Sequence, residues 1–298
     1  MTRLRGPAAF RVSLRDRLKA EAKRRGRPVN ELEREFVLQR FLGRLFATAD
    51  SPWVLKGGAG LLIRVPGARY SQDLDLLHPS SSLDLAIDEL AKFASNPGGD
   101  PFTFVVGPAV RMTGAVVGVQ IKVDAYLGAN QFARFPIDLS TELPFVARVE
   151  RRRPLPVLVM PDVAPLPEFT LYPLPDQVAD KVCAMYETYG GAGAPSSRYR
   201  DLVDLVLVAA NLQLDARHTI AALTSEAQRR GISLPARVQS PGPGWETGYR
   251  AVARRTTLAV ELQELPSALL AAGACLDPLL TREVTAGLWE PGERRWRS

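Results

Sequence analysis

Hydrophobic residues near the start of the chain recur with helical spacing. The Gly-Arg-Pro stretch at residues 26–28 separates two such segments. In the second segment, apolar positions follow an i, i+4, i+5 pattern, which places them on one face of a helix. These positions are Leu32, Phe36, Val37, Phe41, Leu42 and Leu45. The pattern predicts two helices over about residues 13–48.

From Trp53 to about Glu150 the apolar runs become shorter, and proline and glycine separate them. Short runs with these boundaries are typical of β-strands. They fall at about residues 54–55, 73–77, 102–106, 116–126 and 145–149. A helical pattern occupies about residues 83–94, between the second and third runs. This part of the chain is therefore predicted to form a sheet with flanking helices.

Prolines concentrate between about residues 154 and 175, which we interpret as the crossing between two lobes. Helical patterns follow at about residues 176–189, 199–212 and 215–230, and the remainder indicates helices broken by a loop at 241–244. We expect a bilobed α+β protein. Residues 1–172 would hold the N-terminal helices and a lobe with a mixed or antiparallel sheet, and residues 173–298 a mostly helical lobe.

The composition is that of an ordinary soluble protein, with 46% hydrophobic and 23% charged residues among 298. Apolar runs stay below the roughly 20 residues that a membrane helix requires. The first twenty residues lack the apolar core of a secretory signal. Two cysteines far apart in sequence argue against a disulfide framework, so we expect a cytoplasmic protein without membrane partners.

The chain is basic, with a formal net charge of +6, which favours polyanionic partners. Arginine and lysine are concentrated in residues 3–27, in the triplet at 151–153 and in the last residues of the chain. Each cluster alone is equally well explained as a solvated surface. Beside a site for phosphate chemistry, a nucleic-acid substrate becomes the better interpretation.

An acid–x–acid pair follows a double glycine within residues 55–77. Gly57 and Gly58 allow a tight turn that approaches a phosphate closely. Asp73 and Asp75 alternate with leucines, so in a strand both carboxylates point to the same side. Partly buried carboxylates are costly unless a cation matches them. The stretch therefore indicates divalent-metal chemistry on a nucleotide.

A third candidate ligand lies in a later strand pattern. Apolar residues at 119, 121 and 123 alternate with polar ones, and Asp124 belongs to the polar side. If this strand neighbours the strand of Asp73 and Asp75, three carboxylates meet. Such a site suits Mg²⁺, with Mn²⁺ as an alternative, because these ions prefer oxygen ligands and bind substrate phosphates. Two ions there could hold the attacking and leaving oxygens of a phosphoryl transfer.

The order of these motifs resembles the DNA polymerase β-type nucleotidyltransferase superfamily. More closely, LKGGAGLL followed by YSQDLDLL resembles the AbiEii/AbiGii toxin nucleotidyltransferases, the group that contains the mycobacterial MenT toxins. DQVADKVCAMYE and RYRDLVDLV match the helical lysine motif and the Arg-x-x-Asp-x-x-Asp motif of that family. The four motifs stand in order over about residues 55–207, which is more specific than any one of them.

The resemblance implies roles for the residues of the first two motifs. Gly57 and Gly58 would open the turn that holds the nucleotide phosphates. Asp73 and Asp75 would ligate the catalytic metal, and Asp124 would complete the triad. The substrate would be a nucleoside triphosphate.

The resemblance also implies that Lys181 reaches the triphosphate and that Asp201 supports this lysine or the nucleotide. Asp201 and Asp204 lie three residues apart in a helix that is apolar nearly all round, so both need cationic partners. Structural pairing alone would explain Asp204. A glycine-rich loop at 189–197 departs from the family pattern, and it is either a surface loop or a flap over the nucleotide.

Ser71 stands two residues before Asp73 and is either a polar strand residue or a neighbour of the bound nucleotide. A phosphate added there would place about two negative charges next to the metal carboxylates and switch the site off. Arg69 would meet a phosphate or cover the surface.

We expect a toxin of a toxin–antitoxin system that uses Mg²⁺ to transfer a nucleotide from an NTP to RNA. The resemblance implies the tRNA 3′ acceptor end, whose modification would block aminoacylation and translation, and it implies a cognate antitoxin. One alternative is transfer to a protein or to a small molecule such as an antibiotic. Another is a nucleotide-binding module without catalytic activity.

Overall fold

The computed structural model describes residues 6–66, 68–80, 82–112, 118–141, 144–189 and 194–298. The chain divides into two compact units. The first comprises Met1–Ile63, Tyr70–Leu143 and Glu150–Leu171. The second comprises Arg64–Arg69, Pro144–Val149 and Tyr172–Ser298.

The first unit is built on a seven-stranded mixed sheet, with the strands in the order β3-β4-β5-β2-β1-β7-β6. β2 pairs with β5, and β1 with β7, in parallel; the remaining pairs are antiparallel. The strands are β1 (Val54–Leu55), β2 (Leu74–His78), β3 (Phe102–Arg111), β4 (Gly118–Leu127), β5 (Asn130–Thr141), β6 (Glu150–Arg152) and β7 (Phe169–Leu171). The helices are α1 (Pro7–Arg25), α2 (Val29–Leu45), α3 (Gly57–Arg64) and α4 (Leu83–Ser95).

Strict alternation along β4 and β5 gives the sheet one buried and one open side. Ile121 and Val123 on β4 and Ile137 on β5 are buried, whereas the polar residues between them are partly or fully exposed. The buried side belongs to one core with the apolar faces of α1, α2 and α4, through residues such as Phe10 and Phe41. Polar side chains are therefore left on the open side of adjacent strands, where a site can form.

The second unit is mostly helical. Its core includes the buried Trp245, whose indole N–H donates to the Ser196 carbonyl, and Trp289, whose indole N–H donates to the Ala209 carbonyl. Its helices are α5 (Leu174–Tyr186), α6 (Tyr199–Asn211), α7 (Ala216–Arg230), α8 (Trp245–Ala253), a 3₁₀ turn (Val260–Gln263) and α9 (Leu265–Leu280). Its short strands are β8 (Thr188–Tyr189), β9 (Ala194–Pro195), β10 (Leu214–Asp215), β11 (Leu288–Glu290) and β12 (Arg295–Arg297).

The predicted α+β class with a mixed sheet is confirmed, and the helices around residues 13–48, 83–94, 176–189, 199–212 and 215–230 are present. The strand predicted at 145–149 is wrong, because that segment bends and the strand begins at Glu150. The sequence patterns missed β5. Part of the glycine-rich loop, residues 190–193, lies outside the described residues. Within the described chain, no helix is both long and apolar enough to cross a membrane.

Candidate active site

Three carboxylates come together on the open side of the sheet in the first unit. The parallel pairing of β2 with β5 sets Asp75 directly beside Asp138. Asp73 lies immediately before β2, and the Ser71 hydroxyl donates a hydrogen bond to its Oδ1 at 2.9 Å. Ser71 is buried, with 2% of its surface exposed, so its hydroxyl holds Asp73 from inside the fold.

Asp138 shows the electrostatic character of this group of acids. Burial raises the pKa of Asp138, a hydrogen bond from the Gln120 amide at 3.0 Å lowers it in part, and the negative charge of Asp73 raises it further. Among the described residues, neither Asp73 nor Asp138 forms an ion pair with a cationic side chain. Close carboxylates without a cation between them repel one another, so the group favours a bound cation.

Gly57 is the first residue of α3 and has a left-handed backbone, with φ +59°. A Cβ at this position would lie 1.7 Å from Oδ2 of Asp75, so the carboxylate packs directly on the Gly57 Cα. The Lys56 N–H donates to the Asp75 carbonyl at 2.8 Å, which ties the start of α3 to β2. Gly58 is buried in the first turn. The N–H groups of this turn therefore begin beside the acids, and a helix start of this kind suits a phosphate.

The strand of Asp124 does not neighbour the strand of Asp75, so the condition under which Asp124 would join the other two acids is not met. β5 lies between β4 and β2, and Gln120 of β4, not Asp124, stands opposite Asp138. Asp124 instead binds the Arg134 guanidinium through both oxygens, at 2.6 and 2.7 Å, and this contact lowers its pKa. The carboxylate that the structure brings to Asp73 and Asp75 is Asp138.

Sequence reasoning missed Asp138 although a signal for it exists. Phe135, Ile137 and Leu139 alternate with polar positions around it, as in a half-buried strand. Pro136 interrupts the pattern, and proline inside a run argues against a central strand.

The second unit holds a separate buried network around Lys181. The Lys181 ammonium donates to Oδ1 of Asp201 at 2.8 Å and to Oδ2 of Asp204 at 2.7 Å. Arg69 binds both oxygens of Asp204 at 2.8 Å. The two acids were expected to need cationic partners, and Lys181 is one of them. Arg69, which was expected at a phosphate or on the surface, closes the network.

The network is electrically balanced in spite of its burial. Burial works to lower the pKa of Lys181, but the negative charges of Asp201 and Asp204 outweigh it and raise the pKa. Burial works to raise the pKa of Asp204, but Lys181 and Arg69 outweigh it and the net shift is downward. Lys181 and Asp204 therefore stay charged at neutral pH. Lys181 donates two of its three N–H groups to the acids, which leaves one donor for another ligand.

Comparison with known proteins matches the chain to one protein family and finds similar solved structures. The family described as "Nucleotidyl transferase AbiEii toxin, Type IV TA system" matches residues 40–271. MenT4, a nucleotidyltransferase toxin from Mycobacterium tuberculosis, has 18% sequence identity and a TM-score of 0.50, covering 85% of this chain and 93% of that one. JHP933 from Helicobacter pylori has 15% identity and a TM-score of 0.47, with the same coverage. No curated protein matches the chain.

Proposed function

The chain belongs to the AbiEii family of type IV toxin–antitoxin nucleotidyltransferases, and from this premise we propose that it transfers a nucleotide from an NTP to the 3′ end of an RNA. In this reaction the 3′ oxygen of the acceptor attacks the α-phosphorus of the NTP. The bond from that phosphorus to the bridging oxygen breaks, and pyrophosphate leaves. The observation that carries the proposal is the meeting of Asp73, Asp75 and Asp138 on the open side of the sheet.

These acids fit a divalent cation of the Mg²⁺ type. All three offer carboxylate oxygens, and the mutual repulsion of Asp73 and Asp138 is relieved when a cation binds. Among the described residues, no group of three or more acidic, histidine or cysteine side chains is arranged to hold a metal ion, so the fit depends on the chemistry and charge of these carboxylates. When bound, Mg²⁺ would neutralise negative charge on the phosphates.

The protein's own residues supply the remaining parts of the reaction. Ser71 holds Asp73 in place, and Gly57 leaves room for the Asp75 carboxylate. We assign to Asp138 the part that the sequence suggested for Asp124, namely to accept the proton of the acceptor hydroxyl. Asp138 suits this task by its position, because it lies directly beside Asp75 on the open side of the sheet. We further propose that Lys181 and Asp201 contribute to nucleotide binding.

The charge distribution supports RNA as the acceptor. α1 carries exposed cations at Arg15, Arg17, Lys19 and Lys23, and the chain has a pI near 9.5. We take the tRNA 3′ end as the acceptor, because its single-stranded end offers a hydroxyl within reach of a protein site. The type IV family further implies an antitoxin partner.

A labelling experiment tests this function. The protein is incubated with labelled NTPs, Mg²⁺ and total RNA, beside Asp73→Ala, Asp138→Asn and Asp124→Asn. We expect label on tRNA with the wild type and with Asp124→Asn, and a loss of at least 100-fold with the other two variants. Label on protein or on small molecules would show that the acceptor is not RNA. No label on any acceptor would refute transferase activity on these substrates. Full activity of Asp138→Asn would refute its assignment.

A further inference from the structure

A concave site that does not include the three acids lies in the first unit. It has a volume of about 340 Å³ and is lined by the first turns of α2, by Tyr70 and Gln72 ahead of β2, and by the start of β5. We call it the α2–β5 pocket. Small-molecule sites usually measure roughly 300–1,000 Å³. The pocket is therefore large enough for a compact planar group.

Aromatic rings form part of its wall. Phe132 of β5 is fixed by an edge contact with Phe102, at 5.3 Å between ring centroids. The Arg11 guanidinium lies 5.3 Å from the centre of the Phe132 ring and also donates to the Gln131 carbonyl. A wall held in this way loses little freedom when a planar ligand stacks beside it.

The polar atoms of the wall include an unused donor and an acceptor. The Tyr70 hydroxyl is buried beside the Arg34 guanidinium, which can only donate a hydrogen bond, so no described acceptor takes the Tyr70 O–H. Burial raises its pKa to about 12, against the opposing charge of Arg34, so the O–H remains a donor. Glu33 offers carboxylate oxygens. Burial raises the pKa of Glu33, and the cations Arg11 and Arg15 oppose that rise.

The charges of the wall balance, which favours a neutral ligand over a phosphate. Glu31 is paired with Arg27 at 3.5 Å, which leaves Glu33 and Arg34 as opposite charges on the wall. Arg134 is already bound to Asp124. Outside the pocket, the exposed cations of α1 offer positions for a phosphate backbone. Aromatic walls, hydrogen-bonding side chains and flanking cations are the means by which proteins bind single-stranded RNA.

We infer that the α2–β5 pocket binds one nucleobase of a single-stranded RNA, and that it prefers a base with an exocyclic amino group. That amino group would donate to Glu33, and a ring nitrogen or carbonyl oxygen of the base would accept from the Tyr70 hydroxyl. The inference rests on the proposed RNA acceptor and adds to it a subsite for reading a base.

Binding of short labelled RNAs tests the inference without catalysis. Cytidine and uridine trinucleotides are compared by fluorescence anisotropy, with EDTA present and NTP absent, because the two bases differ at position 4 by an amino group and a carbonyl. We expect the wild type to prefer the cytidine RNA. Tyr70→Phe and Glu33→Gln should each weaken cytidine binding about 5- to 10-fold. Glu33→Gln should also remove the preference, whereas the exposed Glu283→Gln should leave both unchanged.

Several results would overturn the inference. If the wild type binds both RNAs equally well, the site does not distinguish the bases. If Tyr70→Phe and Glu33→Gln bind with unchanged affinity, the α2–β5 pocket is not the binding site. If free CMP displaces the labelled RNA as strongly as the unlabelled trinucleotide does, the site binds a mononucleotide and not specifically an RNA. Thermal melts check that the variants are folded. The protein could bind the RNAs as expected and still transfer no label. In that case the inference about the pocket holds, and the proposed transferase function fails.

Discussion

Gly57 offers the sharpest test of how the backbone positions Asp75. In Gly57→Ala the new Cβ would lie 1.7 Å from Oδ2 of Asp75, whereas ordinary contact begins near 3.4 Å. The carboxylate or the start of α3 must therefore move by about 1.7 Å, the difference between these distances. A misplacement of about 1 Å in a reacting group costs roughly 100-fold in rate. We expect Gly57→Ala to lose at least that factor in kcat.

The backbone strain of this substitution needs its own control. Alanine at a left-handed φ costs roughly 1–2 kcal/mol wherever it is placed. Gly231 has φ +64° and nothing within 4 Å of the position of a Cβ, so Gly231→Ala carries the strain without the clash. Gly231→Ala should lose only the stability due to strain and Gly57→Ala at least as much, whereas only Gly57→Ala should lose nucleotide transfer. Transfer by Gly57→Ala within about 3-fold of Gly231→Ala would refute the positioning argument.

Three further outcomes follow from the buried charges. Lys181→Ala leaves Asp201 and Asp204 without their shared cation and should lower the free energy of unfolding by about 3–5 kcal/mol. As a control, Arg198→Ala removes an exposed contact 3.7 Å from Asp201 and should lower it by less than about 1 kcal/mol. The folded pKa of Asp204 lies below its usual value of about 3.9, so its stabilising contribution is present above that pH and is lost as the pH falls through the folded pKa. The difference in unfolding free energy between the wild type and Asp204→Asn, measured by urea titration, should therefore shrink as the pH is lowered. A constant difference would contradict this. The folded pKa of Asp138 is raised, so its ionised form costs stability at neutral pH. Asp138→Asn should therefore have a higher Tm than the wild type and should lose nucleotide transfer. A lower Tm would contradict the repulsion between Asp138 and Asp73.

Local pattern was sufficient for much of the fold. The apolar stripe of α2 and the alternation along β4 both depend on neighbours within a few residues, and both elements form as predicted. The all-round apolar character of α6 likewise indicated burial, and Asp204 is fully buried there with Lys181 as its partner. In these cases the physical cause acts within one helix or strand, so the sequence contains the whole signal.

The third carboxylate depends on a different kind of information. Asp124 and Asp138 both lie on the open side of the sheet, and each lies in a strand of similar alternation. Only the parallel pairing of β2 with β5 distinguishes them, because it sets Asp75 beside Asp138 and leaves Asp124 two strands away from β2. That pairing is fixed by the order of strands across the whole sheet, and no short stretch of sequence specifies it. The partner of each acid supports the same distinction: Asp124 has its charge met by Arg134, whereas Asp138 faces the charge of Asp73. A carboxylate that already has a cation contributes to the surface of the sheet, and one pressed against another acid has reason to bind a metal.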